Sequence, residues 1–286
     1  MKLIAKTEKL GFINVNKPSG VGSSFVVNKI KRLTGLPCGH MGTLDPLASG
    51  VLPVGVGNAT RLFDYFLKKQ KLYRAEFTFG VSSDTLDSTG ELTYGGKIPT
   101  EKEIRSVLSA LEGEVEQLPP KYSAKSVGGR RGYQLARAGI EFELAPKKVT
   151  ITSVKLLERV REDTYSFLID CGAGTYIRSI ARDMAQLLGT NAVMSALLRE
   201  KSGLFTLQDS VPMDELNEEN FERFILPTEE VLPFEKLFLN GDDKAFSGVK
   251  RHVEYEDGEY RIYRDGAFYG VGEVVCGILV LKTKLC

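Results

Sequence analysis

The sequence contains no tryptophan, two histidines and four cysteines in 286 residues. The cysteines, Cys38, Cys171, Cys276 and Cys286, form no Cys-x-x-Cys pair and no regular spacing, which argues for reduced thiols over a disulfide framework or a zinc knuckle. Cys38 and His40 lie close together, but no second ligand pair follows to complete a four-ligand zinc site. No run of about 18 apolar residues is present, so no segment reads as membrane-spanning. Residues 1–9 carry lysines without a sustained apolar core or a small-residue cleavage site, so they do not read as a secretory signal, and a cytoplasmic protein is expected. The net charge is only +1, which gives no blanket argument for nucleic-acid binding. Length bounds the architecture to one large domain and a small one.

Charge distribution says more than net charge. Residues 1–75 hold nine Lys and three Arg against Glu8, Asp45 and Asp64. Residues 121–161 hold ten basic residues against Glu141, Glu143 and Glu158, whereas residues 209–235 carry nine acids against Arg223. A protein that grips phosphates through one face can be neutral overall, because screening at physiological salt limits reach to roughly 8 Å.

The stretch Gly39-His40-Met41-Gly42-Thr43-Leu44-Asp45-Pro46-Leu47-Ala48-Ser49-Gly50 concentrates unusual residues. Asp45 has no second carboxylate nearby, whereas divalent-metal sites normally want two or more and two-carboxylate glycosidases need an acid and a partner. From the residues alone, Asp45 is either a lone nucleophile or base, or a turn residue before a proline. The glycines allow sharp turns and close approach of a ligand, and Pro46 biases Asp45 toward an extended backbone. Residues 51–56 read as a short buried strand anchoring the far side. His40 reads equally well as a structural histidine.

Along the rest of the chain, residues 24–34 have apolar positions at helical spacing, with Ser23 or Ser24 as N-cap and Gly35 as the stop. Arg61 opens a short helical run to Phe66. Residues 72–80 alternate strictly, placing Tyr73, Ala75, Phe77 and Phe79 on one strand face. Residues 81–100, with Asp84 and Asp87, read as surface turns or a hairpin. Thr100-Glu101-Lys102-Glu103 is a capping box opening a helix. From residue 121 to 137, basic residues interleave with Tyr122 and Tyr133 around Gly128-Gly129-Arg130-Arg131-Gly132, a composition suited to gripping phosphates and stacking on bases. Strands are expected over 148–157 and 164–171, then a helix to Gly189. Arg178 falls in its first turn, where a cation opposes the helix dipole unless an anion is close. Residues 236–286 read as short strands with glycine turns.

The Gly39 to Pro53 stretch strongly resembles the catalytic motif of the tRNA pseudouridine synthase B (TruB) family. Asn14-Val15-Asn16-Lys17-Pro18-Ser19-Gly20 is similar to that family's amino-terminal Lys-Pro-x-Gly motif, and Lys71-Leu72-Tyr73-Arg74-Ala75 to its tyrosine motif. Lys121-Tyr122-Ser123-Ala124 resembles its central motif, and Gly174-Thr175-Tyr176-Ile177-Arg178-Ser179 the motif supplying its arginine. The resemblance implies an α+β pseudouridine synthase fold with a mixed, largely antiparallel sheet. It also implies a catalytic domain over 1–208, an acidic connector over 209–235 and a small PUA-like, RNA-binding β-domain over 236–286. It implies catalytic roles for Asp45, for Tyr73, which would stack on the target base, and for Arg178, which would pair with Asp45 and keep it ionised. His40, Lys17, Arg61 and Tyr176 are implied substrate-side residues, His40 filling the space the base vacates, and Lys17 and Arg61 touching RNA or the active-site loop.

The implied reaction breaks the N1–C1′ bond of a uridine in the tRNA T-arm, turns the base and joins C5 to C1′. No redox change or net hydrolysis occurs, so no cofactor, no metal and no obligatory protein partner is expected, and a monomer acting on tRNA away from any membrane suffices. The site must supply a carboxylate, a pocket that retains the freed base and groups that move one proton. Extracting a stacked uridine costs a few kcal/mol. Two other readings stay open: the catalytic subunit of a guide-RNA-dependent synthase, and an RNA-folding or binding protein with secondary catalysis. A serine hydrolase built on Ser24 or Ser49 has no nucleophile-elbow pattern behind it.

Overall fold

The computed structural model describes residues 11–239 and 251–285, except 124 and 128. Gly128 of the basic turn, Cys286 and the lysine-bearing amino-terminal stretch therefore lie outside the described residues. The chain runs β1 (Gly11–Lys17), α1 (Ser23–Thr34), β2 (Cys38–His40), β3 (Ser49–Val56), α2 (Phe63–Leu67), β4 (Lys71–Phe79), and the small hairpin β5 (Val81–Ser83) and β6 (Leu92–Tyr94). There follow α3 (Glu101–Val107), β7 (Gly113–Gln117), β8 (Ser126–Val127), β9 (Arg130–Arg131), α4 (Gly132–Arg137), β10 (Lys147–Arg159), β11 (Thr164–Cys171), α5 (Ile177–Leu187) and β12 (Ala192–Ser202). Short strands β13 (Phe205–Thr206), β14 (Val211–Pro212) and β15 (Leu226–Pro227) precede β16 (Glu235–Leu239), β17 (Arg251–His252), β18 (Gly258–Arg264), β19 (Ala267–Val275) and β20 (Ile278–Lys284).

The large sheet has the order β14-β1-β3-β12-β4-β11-β10-β7, with β2, β13 and β15 attached beside it. Its pairs are antiparallel except β3 with β12 and β1 with β14, so the expected mixed, largely antiparallel α+β architecture is present. Strand β4 shows why its sequence demands this place: Tyr73, Ala75, Phe77 and Phe79 are all buried on one face, and the Phe77 ring stacks on Phe167 of β11 at 4.9 Å. Burying each such ring removes enough apolar surface from water to contribute roughly 1.5–3 kcal/mol. Helix α1 packs Val26 and Ile30 into the same core and ends at Gly35 in the left-handed conformation at φ 67°. Thr100 and Glu103 form the anticipated reciprocal capping box on α3.

Two local expectations change. Neither Ser23 nor Ser24 caps α1; Gly22 occupies the cap without a side-chain bond, and the Ser23 hydroxyl instead bonds Leu44 in the loop between β2 and β3. The 81–100 segment does form the β5–β6 hairpin, but Asp87 within it is buried, with 5% of its surface exposed. The acidic stretch after residue 208 contributes β14 and β15 to the edge of the large sheet and Val211, Leu216 and Phe221 to its core. A second, five-stranded sheet, β16-β18-β19-β20-β17, follows. Val271 and Leu285 of this sheet region share an apolar cluster with Phe12, Met41 and Phe66.

Candidate active site

The loop between β2 and β3 is held by its carbonyl groups, which would be costly to bury unpaired. Ser23 Oγ donates to Leu44 O at 2.8 Å and accepts from Leu44 N at 2.8 Å. Gly20 N donates to Pro46 O at 2.8 Å and Ser19 Oγ to Leu47 O at 2.6 Å. From the opposite side the Arg199 guanidinium donates to Val51 O at 2.7 Å and Gly42 O at 3.0 Å, with Thr43 O at 3.4 Å. Gly50 is required here: its φ is +99°, and a Cβ would stand 2.3 Å from Arg199 O. The loop is thus clamped between the residues after β1 and strand β12, with Asp45 at its turn.

Asp45 Oδ2 meets Arg178 at 2.9 Å. The same guanidinium lies 3.5 Å from Asp87 Oδ2 and donates to Thr85 O at 2.8 Å and Tyr122 O at 3.0 Å. Two anions therefore offset the unfavourable helix-start position of Arg178. Helix α5 is aimed by Gln117, whose side-chain oxygen accepts Tyr176 N at 2.8 Å and whose amide donates to Tyr176 O at 3.1 Å. Asp87 is fixed by Thr85 and Thr89, which donate to its Oδ1. Leu86 just before it takes φ 61°, a conformation uncommon outside glycine. Sequence periodicity could not show Asp87 facing α5, because its burial comes from a tertiary bridge to Met194.

Pairing with Arg178 favours the ionised form of Asp45, while burial pushes the carboxyl above its ordinary value of 3.8 and Asp87 adds to that rise. Desolvation wins because the single guanidinium is shared between two carboxylates. If Asp45 must be ionised to act, the rate rises with pH through this elevated titration. The acid limb of the single-turnover rate is therefore expected above pH 3.8, and Asp87→Asn is expected to move it down. A limb unmoved in Asp87→Asn would remove the coupling.

Asp45, Arg178 and Tyr176 line a cavity of about 210 Å³ together with Tyr73, Lys71, Arg199, Met194 and Leu197. Such a pocket, mostly apolar with a few convergent polar groups, suits a small ring. Burial raises the Tyr73 phenol above its usual titration while Arg199 opposes this. Asp45, Tyr73, Arg178 and Tyr176 are thus brought together. Lys17 is not on the cavity wall: it is fully buried, donating to Pro18 O at 2.9 Å and Val21 O at 2.7 Å, with Pro46 O at 3.5 Å. It supports the loop from the protein interior. His40 lies outside the cavity wall on β2, with a buried Nδ1 that has no partner among the described residues. Arg61 is also apart, donating to Lys284 O at 2.8 Å, so it ties the segment just before α2 to the second sheet.

Sequence reading gave no role to Arg199 or Lys71, which are 1% and 6% exposed. The period-two pattern of the β12 residues held a clue to Arg199, since it shares a strand face with buried Leu197. Among the described residues no group of three or more His, Cys, Asp or Glu side chains is arranged to hold a metal ion. No helix there is long and apolar enough to cross a membrane.

Comparisons with known proteins point to one family. Residues 31–177 match the TruB family pseudouridylate synthase (N terminal domain), and residues 178–233 match the tRNA pseudouridylate synthase B C-terminal domain. The chain is 38% identical over 279 residues to tRNA pseudouridine synthase B of Clostridium kluyveri, covering 92% of this chain and 94% of the relative. It is 37% identical over 286 residues to the protein of that name from Aquifex aeolicus, covering 96% and 99%. Among solved structures, a Cbf5-Nop10-Gar1 complex aligns with a TM-score of 0.70 at 25% identity, over 97% of this chain and 85% of that one. An H/ACA RNP bound to a substrate RNA containing 2′-deoxyuridine aligns with a TM-score of 0.68 at 23% identity, over 96% and 85%, a likeness of fold. The chain belongs to the TruB family, RNA isomerases that convert uridine to pseudouridine in tRNA.

Proposed function

We propose that the protein isomerises the T-arm uridine at tRNA position 55, acting alone, with Asp45 as the carboxylate that drives cleavage of the N1–C1′ bond. The observation that carries this reading is a clamped, partly open Asp45, 34% exposed at its side chain and paired at 2.9 Å with the buried Arg178, on the wall of a cavity sized for one base. Arg178 orients the carboxylate, Tyr73 supplies a flat face for the extracted base, and Tyr176 borders the same space. In this reading the basic side chains of residues 121–161 grip the RNA backbone, and residues 236–286 act as a small RNA-contacting β-domain. Identity of 38% to a relative named tRNA pseudouridine synthase B, against 25% to the Cbf5 complex, favours the stand-alone reading over the guide-dependent one. A monomeric, cytoplasmic enzyme without a cofactor completes the proposal.

The test is an unmodified tRNA transcript incubated with the protein alone, without guide RNA or added metal, and pseudouridine mapped along it. Product is expected at position 55 of the T-arm; product confined to another arm, or none without a guide, overturns the reading. Affinity for the same transcript is expected to fall on the order of 10³-fold or more between 50 and 200 mM salt if six or more phosphates are gripped. A flat salt profile would remove the phosphate contacts.

A further inference from the structure

Lys71 and Arg199 are buried cations on the cavity wall that the reading above leaves without a chemical task. Among the described residues neither forms an ion pair with a carboxylate. The two converge on the same point of the loop: a Cβ built on Gly42 would stand 3.8 Å from Arg199 Nη1 and 3.8 Å from Lys71 Cε. Lys71 Nζ donates to Leu67 O at 2.9 Å and Lys69 O at 2.6 Å, leaving one N–H uncommitted. Neighbouring Cys171 supplies no counter-charge, since burial pushes its thiol up to about 11. Asp45 is engaged with Arg178, and Asp170 borders an adjoining cavity with Lys71 without pairing to it. Two like charges buried side by side and unneutralised are costly, which burial expresses at Lys71 by lowering its ammonium to about 8. An arrangement of this kind is relieved when an anion enters the cavity.

The reaction creates such an anion. Asp45 bonds to C1′ as the N1–C1′ bond breaks, and the electron pair of that bond stays on the base, spread over N1 and its carbonyl oxygens. The base then turns, C5 bonds to C1′ as the bond to Asp45 breaks, and the proton on C5 is transferred to N1. An elimination route that leaves a glycal also places the departing pair on the base. Asp45, Arg178, Lys71 and Arg199 all line this one cavity, so a base released at Asp45 stays in the same enclosure as the two unpaired cations. We propose that Lys71 and Arg199 form a cationic wall that stabilises the detached uracil anion between bond breaking and bond making. Stabilising charge where it develops, in a site shielded from water, is among the largest effects available to a protein. The proposal rests on the synthase reading and assigns the leaving-group side of its chemistry.

The experiment uses the full chain with two T-arm substrates, one carrying uridine and one carrying 5-fluorouridine at the target. Fluorine makes the departing base more acidic, so its anion needs less help from the protein. Lys71→Met and Lys71→Gln remove the charge, and the glutamine keeps amide donors for the Leu67 and Lys69 carbonyls. Single-turnover loss of the target nucleoside is expected to slow on the order of 10²-fold for uridine and markedly less for 5-fluorouridine, with the unfolding midpoint unchanged or raised. Equal slowing on both substrates, or none on uridine, overturns the proposal. Failure of the wild-type protein to act on the uridine substrate would instead overturn the synthase reading beneath it.

Discussion

Asp45→Asn is expected to lower pseudouridine formation by at least about 10⁴-fold while tRNA binding persists. The amide keeps the size of the carboxylate and can still accept from Arg178, and the loop around it is held through backbone carbonyls by Ser23, Ser19, Gly20 and Arg199. What disappears is the negative oxygen that can bond to C1′. Stability should move the other way. Burial raises the Asp45 carboxyl, so the folded protein retains a proton that the unfolded chain has released, and stability falls as pH rises from 3.8 through the elevated value. At neutral pH the wild type carries that penalty and the variant does not. An unfolding midpoint equal to or above wild type is the companion result, and a comparable turnover rate would sink the assignment of Asp45.

Arg178→Met should cost about 3–5 kcal/mol of stability at neutral pH, measured by urea unfolding. Its side chain is 5% exposed and lies against Asp87, itself 7% exposed at the side chain. Removing the guanidinium strands a buried carboxylate and leaves the Thr85 and Tyr122 carbonyls without their donor. Adding Asp87→Asn to Arg178→Met should recover part of the loss, because the stranded charge is gone; the two carbonyls would remain unpaired. Additive losses in the double variant would show that Asp87 and Arg178 do not stabilise each other. Activity should fall in both variants, since Asp45 loses the partner that fixes its position.

Local regularities carried most of what could be anticipated. Strict alternation placed Tyr73, Ala75, Phe77 and Phe79 together, and helical spacing with a glycine stop bounded α1, because each signal is written within one element. Ser23 shows the limit: a serine at a helix start is a sound cap by local chemistry, yet a nearby loop with an unpaired Leu44 amide and carbonyl took it instead. Asp87 sits in a stretch whose glycines and polar residues read as surface. Only the packing of that hairpin turn on Met194 carries it inward. Arg199 and Lys71 were hidden for a related reason, since single cations in strands usually face water and their burial depends on strands distant in sequence. Asp45 and Arg178 could be placed through motif resemblance, while the balance of burial against their pairing required the assembled site.

Strand β12 lies between β3 and β4 in the large sheet, and Arg199 reaches back 148 positions to bond the carbonyl of Val51. During synthesis, then, the Asp45 loop leaves the ribosome long before the strand that clamps it. Strands β3 and β4, neighbours along the chain, have to leave a gap that is filled only when residues 192–202 arrive. Closures across such sequence distances are slow steps in folding. The loop that carries Asp45 consequently gains its Arg199 clamp late, and an incomplete nascent chain holds that loop without it.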